Sequence, residues 1–367
     1  MKGYQFEDTQ GTFHLKKAEN ISYLYFPIAG EAGLKSSFTP NLGGDAKIDQ
    51  NTFLLEPVSA ENLVNNRNSR NFWCNVKGIG SWSLTGHSAE ELSKKFTEMQ
   101  DDSEVTAGFM WQKTTRESKK YQLRGEILSF IPVDKNVEIM LVTITNTGRM
   151  AQTVTPTAAI PLYGRSADNI RDHRHVTSLL HRIETTDTGV LVTPTLSFDE
   201  RGHQVNHMTY YCVGWSGNGE KPVDFYPTAE DFVGEGGNFE RPYAIVKNAE
   251  GVKAGTKIEG LEAVGGLHFS EITLEPEEEC SYLIFTGITE DIQEIRNLSK
   301  TYTTREKVLE ELEKTKAYWQ EKVNVAYHTG DSDFNQFMHW VSFQPILRRI
   351  YGCSFLPHHD YGKGGRG

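Results

Sequence analysis

Residues 137–162, VEIMLVTITNTGRMAQTVTPTAAIPL, give the clearest indication of the fold. Two runs rich in apolar and β-branched residues flank Asn146-Thr147-Gly148. Such runs are typical of β-strands, and a glycine between them can take the positive φ that many tight turns need. The pattern therefore predicts two strands joined by a turn.

Segments of the same kind lie on both sides of this stretch. They are residues 22–29, 51–58, 72–86, 121–133, 189–196, 208–216, 242–247, 266–274 and 281–287. Recurrent short strands separated by turn signals indicate an antiparallel sandwich rather than an alternating βαβ array. We predict one helical interruption at 89–98, where Ser88 can cap the helix and Glu91 follows three residues later.

The pattern becomes helical at about residue 290. Residues 290–323 contain no proline, are rich in Glu and Lys, and predict a linker of two helices. A third helix is expected at Asp333–Ile350, capped by Ser332 or Asp333 and kinked at Pro345. Its predicted apolar face consists of Phe334, Phe337, Met338, Val341, Ile346, Leu347 and Ile350. Because one helix cannot form a helical core alone, we expect further helices to cover this face.

Composition narrows the class of protein. The chain has 367 residues, enough for about two domains, and a net charge of −11 with no dense Lys/Arg block, which argues against a nucleic-acid partner. No segment approaches the roughly 18 apolar residues of a membrane span, and the N-terminus has no apolar signal region. Its four cysteines are scattered, without a CxxC pair, as expected of reduced thiols in the cytoplasm.

The terminal sequence SFLPHHDYGKGGRG, residues 354–367, is the strongest candidate site. Glycines let backbone N–H groups converge on an anion or a sugar, and charged side chains add to the attraction. The candidate binding residues here are His359, Asp360, Tyr361, Lys363 and Arg366. A disordered tail is the alternative interpretation of the same glycines.

A second polar segment, Asn-Ile-Arg-Asp-His-Arg-His at 169–175, lies between two predicted strands. We take Arg174 and His175 as weaker candidates for substrate binding at a pocket edge. A metal site that uses these histidines lacks a cysteine or carboxylate at zinc-site spacing. We interpret His203 and His207 as surface residues, because the sequence around them is β-like.

Carboxylates that could act in glycoside cleavage occur at Asp199, Glu200 and Glu235. Nothing in their surroundings singles out one of them as an acid. A nucleophile elbow, a kinase signature and a dinucleotide-binding fingerprint are all absent from the sequence. We therefore assign no catalytic residue to this chain.

Five segments carry a resemblance to a known family. They are NSRNFWCNVKGIGSWSLTG (68–86), DNIRDHRHVTSLLHRI (168–183), TPTLSFDERGHQVNHMTYY (193–211), FYPTAEDFVGEGGNFERP (225–242) and WVSFQPILRRIYGCSFLPHHDYGKGGRG (340–367). Together they resemble glycoside hydrolase family 94, the inverting phosphorylases of cellobiose, chitobiose and β-1,2-glucans. Within that family the chain is most similar to the 1,2-β-oligoglucan phosphorylases.

The resemblance implies a mainly β fold, a large antiparallel, supersandwich-like β-sandwich followed by linker helices and the first helix of an incomplete (α/α)6 barrel. The implied domains are a sandwich at 1–288, a helical linker at 289–330 and the start of the catalytic barrel at 331–367. In the family the general-acid Asp follows the GGRG loop, so we expect it in a C-terminal remainder of the enzyme and expect this chain alone to be inactive.

The resemblance also implies the reaction, reversible phosphorolysis of a β-glucoside to α-glucose 1-phosphate with inversion. The expected partners are an oligosaccharide, inorganic phosphate as co-substrate without any other cofactor, and a second copy in a homodimer, with no nucleic acid or membrane. Two alternatives stay open. One is a non-catalytic carbohydrate-binding or oligomerisation sandwich, and the other is a family member that acts by hydrolysis or transglycosylation.

Overall fold

The computed structural model describes residues 3–21, 24–58, 69–171, 174–199 and 202–352. All strand pairs in this part of the chain are antiparallel, and the strands form two large sheets, a smaller one and a separate hairpin. The prediction of a mainly β antiparallel sandwich is confirmed.

The largest sheet has eleven strands. Their spatial order is β1 (Tyr4–Phe6), β2 (Phe13–Lys16), β9 (Asp102–Gly108), β10 (Trp111–Ser118), β11 (Leu123–Phe130), β12 (Val137–Asn146), β23 (Glu279–Thr289), β18 (Thr209–Ser216), β15 (Gly189–Val192), β14 (Arg182–Thr185) and β20 (Lys257–Glu259). The two edge strands, β1 and β20, have three residues each.

The other strands form three smaller groups. A six-stranded sheet contains β19 (Asp224–Thr228), β21 (Ala263–His268), β13 (Gln152–Leu162), β7 (Asn71–Val76) and β8 (Gly80–Ser83), with β22 (Ile272–Leu274) paired to β13. A four-stranded sheet contains β3 (Phe26–Ala29), β4 (Lys35–Phe38), β5 (Ala46–Asp49) and β6 (Thr52–Leu55). The hairpin consists of β16 (Leu196–Asp199) and β17 (Gly202–Val205).

Among the described residues, four short helices lie between strands of the sandwich, and three longer ones follow its last strand. They are α1 (Ala89–Ser93), α2 (Arg174–Thr177), α3 (Ala229–Val233), α4 (Tyr243–Lys247), α5 (Ile292–Thr301), α6 (Arg305–Lys322) and α7 (Ser332–Tyr351). Short 3₁₀ segments lie at Ala18–Asn20, Ala167–Arg171 and Ser178–Leu180. Among the described helices, none has both the length and the apolar content that a bilayer crossing requires.

Residues 137–162 do form two strands, but these strands lie in different sheets. Strand β12 belongs to the large sheet and β13 to the six-stranded sheet, so the turn between them is a corner of the sandwich. Gly148 is not at positive φ. Its N–H instead donates to Asn146 Oδ1 at 2.9 Å, and a Cβ there would lie 2.5 Å from Gln122 Oε1. The turn therefore does not use the positive φ that a glycine can take, and the Gln122 side-chain amide would have to move to admit a Cβ at this position.

Strand β12 is buried at every position because both faces of the large sheet are covered. One face, with Met140 and Val142, packs in the main core against the six-stranded sheet. The other face, with Ile139 and Leu141, packs under α5 and α6. A strand buried on both sides favours a continuous apolar run instead of alternation.

Several predicted elements need correction. Residues 242–247 were predicted as a strand, but α4 covers 243–247 because the chain leaves Pro242 in an extended conformation and then turns to bury Ala244 and Ile245. Helix α1 ends at Ser93, five residues before the predicted end. Its predicted cap is confirmed, since Ser88 Oγ accepts from the N–H of Glu91 at 3.1 Å.

The two predicted linker helices are present as α5 and α6, and α7 is the predicted third helix. The N-cap of α7 is Asp331 rather than Ser332 or Asp333, and its carboxylate accepts from the N–H of Phe334 at 3.0 Å. The helix continues without interruption through Pro345, and the kink at this residue stays a prediction. Asp331 is preferred because its side chain reaches an N–H that the first turn leaves unpaired.

Candidate functional site

The carboxyl end of α7 is the place where the chain enters the terminal candidate segment, and it is fixed to the four-stranded sheet. The Tyr351 hydroxyl donates to Ser36 O at 2.6 Å, and Ile28 O lies 3.1 Å from the same hydroxyl oxygen. Lys35 Nζ donates to Ile350 O at 3.0 Å, which satisfies a carbonyl of the last helical turn. We call the contacts of Lys35, Ser36 and Tyr351 the α7 junction.

An aromatic cluster holds the rest of α7 against the sandwich. Phe343 and Leu347 are buried and pack with Phe109 and Met110 of the sandwich and with Trp319 of α6. The ring centroids of Phe109 and Phe343 are 4.6 Å apart. Aromatic side chains contribute large buried areas, so this contact fixes the helix over its second half.

Two polar contacts add a second point of attachment near the start of α7. The chain at Gly11 donates its N–H to Gln336 Oε1 at 3.0 Å and accepts from Trp340 Nε1 at 2.7 Å. A residue at the N-terminal end of the chain is therefore bound to the helix on both of its backbone groups.

A surface ion pair links α7, α6 and the sandwich. Arg349 donates to both oxygens of Glu31, at 2.8 and 2.6 Å, in a bidentate pair. Tyr318 of α6 donates to the same carboxylate at 2.9 Å. The hydrogen bonds from Arg349, more than any other contact, lower the pKa of Glu31. The group remains ionised at neutral pH and holds the three elements together.

A buried ion pair lies behind the α7 junction. Arg70 donates to Glu138 through Nε and, at 3.0 Å, through Nη2, and neither side chain has measurable exposure. Ser36 Oγ also donates to Glu138 Oε2 at 2.6 Å, and Arg70 Nη1 donates to Gly44 O at 2.9 Å. Ser36 thus contacts the buried pair through its side chain and Tyr351 through its carbonyl.

The electrostatics of this region keep Tyr351 neutral. Burial raises the pKa of its phenol well above the ordinary value, and the nearby carboxylates of Asp45 and Glu138 act in the same direction. A neutral phenol keeps the hydrogen that it donates at the junction at any physiological pH. The donors and acceptors of the α7 junction therefore hold the helix end in place, and none of them is poised to transfer a proton.

The residues predicted from sequence can now be placed. His359, Asp360, Tyr361, Lys363 and Arg366 lie outside the described residues, which end at Gly352. Arg174 and His175 begin the one-turn helix α2, and their side chains are also outside the described part. These seven assignments stay predictions.

The described histidines that the sequence singled out have different surroundings in the structure. His181 is buried, with Nδ1 at 3.2 Å from Leu261 O. His203 is exposed on β17 and contacts the Phe198 ring, and His207 is exposed as well. In the part of the chain that the structure describes, no group of three His, Cys, Asp or Glu side chains is arranged to hold a metal ion.

Three residues of this region escaped the sequence analysis: Arg70, Glu138 and Tyr351. A signal was available for Glu138, because a single carboxylate in the apolar run VEIMLV must find a partner when the strand is buried. Arg70 likewise stands directly before the buried strand β7. Tyr351 carried no such signal, since a tyrosine at a helix end is ordinary.

Comparison with known proteins identifies the family. Residues 55–305, more than half of the chain, match the family model "Glycosyl hydrolase 94, supersandwich domain". The chain therefore belongs to glycoside hydrolase family 94 and contains its supersandwich domain. A search of curated protein sequences finds no significant match.

Three solved structures are similar to this chain at low sequence identity. A bacterial glucoamylase bound to acarbose is 10% identical with a TM-score of 0.48, and the match covers 93% of this chain and 41% of that chain. A family GH92 α-mannosidase from Bacteroides thetaiotaomicron is 11% identical with a TM-score of 0.42 and coverages of 92% and 37%. A putative aldose 1-epimerase from Escherichia coli K12 is 9% identical with a TM-score of 0.39 and coverages of 72% and 99%. The chain thus spans less than half of the first two proteins.

Proposed function

We propose that this chain is the N-terminal part of an inverting carbohydrate phosphorylase that converts a β-glucan or β-glucoside and phosphate into α-glucose 1-phosphate. The single observation that carries the proposal is membership in glycoside hydrolase family 94 across residues 55–305. The resemblance of the terminal segment to the family's sugar-binding loop supports the same assignment, and the β-1,2-glucans are the first substrates to try.

The reaction needs only one acid. A phosphate oxygen attacks the anomeric carbon from the face opposite the leaving group, the glycosidic C–O bond breaks, and a carboxylic acid gives its proton to the leaving oxygen. Phosphate is already anionic, so no base is required to activate it. In this proposal the carboxylic acid that donates the proton belongs to a C-terminal remainder of the enzyme.

In this proposal the chain's own contribution is binding. Arg366 and Lys363 would hold phosphate or a sugar hydroxyl, because cationic donors stabilise the charge that develops on the transferred group. Tyr361, Asp360 and His359 would contact the sugar, with Arg174 and His175 at the pocket edge. The α7 junction supports this role by fixing the helix end from which that segment continues.

The first experiment measures glucose 1-phosphate. The purified chain is incubated with phosphate and with β-1,2- or β-1,4-linked oligosaccharides, alone and after co-expression with a family-type C-terminal half. We expect release only from the pair. Turnover by the chain alone would contradict the placement of the acid, and sugar release that persists without phosphate would indicate hydrolysis instead.

A variant then tests the terminal segment. In the active pair, Arg366→Ala is expected to lower phosphorolysis by at least about tenfold, since a charge-assisted contact to the transferred group is lost. Arg296→Ala is the matched control, because Arg296 is an exposed arginine on α5. Equal rates in the two variants would remove Arg366 from the site.

The same preparation tests the assembly. We propose a homodimer that acts in the cytoplasm, where the thiols of Cys74, Cys212 and Cys280 stay reduced, as they are in the structure. Light scattering coupled to size-exclusion chromatography gives the mass in solution. A monomer at micromolar concentration would refute the dimer.

A further inference from the structure

A cleft on the outer face of the six-stranded sheet has the features of a small-molecule site. It lies between the β7–β8 hairpin, the start of α1 and the start of α4, and it has a cavity volume of about 470 Å³. We call it the α1–α4 cleft. Ligand sites typically measure about 300–1,000 Å³, so the cleft is large enough for a sugar unit. None of its lining residues takes part in the α7 junction.

The charged groups that line the cleft are balanced. Glu90 and Glu240 supply carboxylates, and Lys120 and Arg241 supply cations. Two carboxylates disfavour an anionic ligand, and two cations disfavour a cationic one. The lining therefore favours a ligand without net charge that can both donate and accept hydrogen bonds.

One carboxylate is held in place before any ligand arrives. Glu90 Oε2 accepts from Tyr121 Oη at 2.7 Å and from Lys120 Nζ at 2.8 Å, and Lys94 Nζ lies 3.1 Å from Oε1. These contacts leave Glu90 in one position at the wall of the cleft. Preorganised polar groups reduce the entropy cost of binding.

Apolar groups share the same walls. Ile79, at the β7–β8 turn, is 45% exposed, and Val246, on α4, is 41% exposed. A pyranose ring has hydroxyls around its edge and C–H groups on its faces, so it can use polar and apolar walls together. A purely apolar ligand would displace water from these charged groups without offering hydrogen bonds in its place.

The floor of the cleft contains an unpartnered donor. Trp73 lines the cleft, is 2% exposed, and its indole N–H has no hydrogen-bond partner among the described residues. A buried tryptophan N–H usually finds a partner. A hydroxyl held in the cleft is the kind of group that would supply one after a small side-chain adjustment.

We propose that the α1–α4 cleft binds a neutral glycosyl unit of an oligosaccharide, at a site separate from the phosphorolysis site. Arg241 and Lys120 donate to sugar hydroxyls, Glu90 accepts from them, and Ile79 and Val246 contact the ring. The site would hold a longer glycan on the sandwich while its end is processed elsewhere. The choice of glucosyl probes rests on the proposed function, but the existence of the site does not.

The test is calorimetric titration of the chain, without phosphate, with cellotetraose, a β-1,2-linked glucotetraose, mannotetraose and xylotetraose. We expect saturable binding of at least one, and Arg241→Ala should weaken it by about tenfold, the loss expected for one hydrogen bond to a charged group. Arg296→Ala, an exposed arginine on α5, should bind like the unmodified chain.

A second variant keeps the test independent of Arg241. Ile79→Arg places a long side chain at the cleft mouth from an exposed turn position and should abolish binding with an unchanged melting temperature. No saturable heat from any of the four oligosaccharides, or unchanged affinity in both variants, would overturn the proposal. Binding of mannose or xylose chains but not glucose chains would support the cleft and count against a glucan substrate.

Discussion

Individual buried polar groups define the place where α7 meets the sandwich. Arg70 and Glu138 are 68 positions apart in sequence, yet they form an ion pair with no solvent exposure. Each also has hydrogen bonds to other groups, as buried charges require. Because Ser36 contacts both this pair and Tyr351, a substitution at one of these residues should alter the hydrogen bonds of the others.

The buried pair can be tested by removing one charge. Glu138→Gln leaves Arg70 buried without its counter-charge and should lower the free energy of unfolding by about 3 kcal/mol. Glu126→Gln is the matched control, since Glu126 pairs with Lys113 at 3.2 Å with both side chains partly exposed. That change should cost less than about 1 kcal/mol. Equal losses in urea denaturation would mean that burial of the pair is unimportant.

His87 gives the protein a predictable acid sensitivity. Burial, and then the positive charges of Arg116 and Lys95, lower the pKa of His87 from 6.5 to about 4. The unfolded chain therefore binds a proton below about pH 6.5, while the folded chain does so only near pH 4. The contribution of neutral His87 to the free energy of unfolding is therefore complete above pH 6.5, and about 3 kcal/mol of it is lost as the pH falls to 4.

The measurement is urea denaturation between pH 7 and pH 4 for the unmodified chain and two variants. In His87→Asn the free energy of unfolding should fall less between pH 7 and pH 4, because the position no longer titrates. His203→Asn changes an exposed histidine on β17 and should leave the decline as it was. Identical slopes in all three proteins would contradict the assignment to His87.

At the scale of elements, α7 has two different faces. Phe343 and Leu347 are buried against the sandwich and α6, whereas Phe334, Phe337 and Val341 are 46%, 54% and 41% exposed. The three exposed residues were predicted to begin the packed face, and that prediction was wrong. The packed side instead carries Trp340 and Phe343, whose rings contact Phe109.

Two phenylalanines on this helix form a matched pair for mutation. Phe343→Ala removes a fully buried ring from the aromatic cluster and should lower the free energy of unfolding by about 3–5 kcal/mol. Phe337→Ala removes an exposed ring from the same helix and should cost less than about 0.5 kcal/mol. Thermal unfolding followed by circular dichroism compares them, and similar losses would show that α7 is not docked as described.

The elements that could be read from sequence are those with strong local patterns. Strands β12 and β13 follow from their apolar runs, and α5 and α6 from Glu- and Lys-rich helical spacing. The prediction of a strand at 242–247 was wrong because the four apolar residues that follow the proline are too few to show a period. Its helical conformation depends on contacts with the outer face of the six-stranded sheet, in which Ala244 and Ile245 pack against Trp73 and Tyr226.

The candidate site was less accessible to sequence reasoning than the fold. Tyr351 and Ser36 are 315 positions apart, and their contact follows only from the way α7 lies on the four-stranded sheet. The α1–α4 cleft likewise combines three distant stretches of chain. A local motif such as the terminal glycine segment can be read directly, whereas sites assembled by topology cannot.

For the whole molecule, the helices that follow the sandwich belong to its core. Helices α5 and α6 cover the outer face of the large sheet, where Leu283 and Phe285 pack with Ile295, Val308 and Leu312. A large sheet without this cover would expose a continuous apolar surface, which promotes aggregation. The sandwich therefore depends on chain that comes after its last strand.

Shortened chains test this dependence. A chain ending at residue 290 lacks α5, α6 and α7, and we expect it to aggregate and to bind a hydrophobic dye. A chain ending at residue 330 keeps α5 and α6 and should remain folded. It should bind the dye more weakly, at the surface that α7 covers in the longer chain. Sedimentation and dye fluorescence compare the two, and a soluble, dye-free 1–290 chain would contradict the role given to the helices.

The two ends of the eleven-stranded sheet have a practical consequence for handling the protein. Strands β1 and β20 offer only three residues each, and β20 begins with a lysine. Edge strands this short, one of them with a lysine, make poor templates for the addition of a strand from another molecule. Concentrated samples should accordingly resist growth into amyloid-like fibrils, in spite of their high β content.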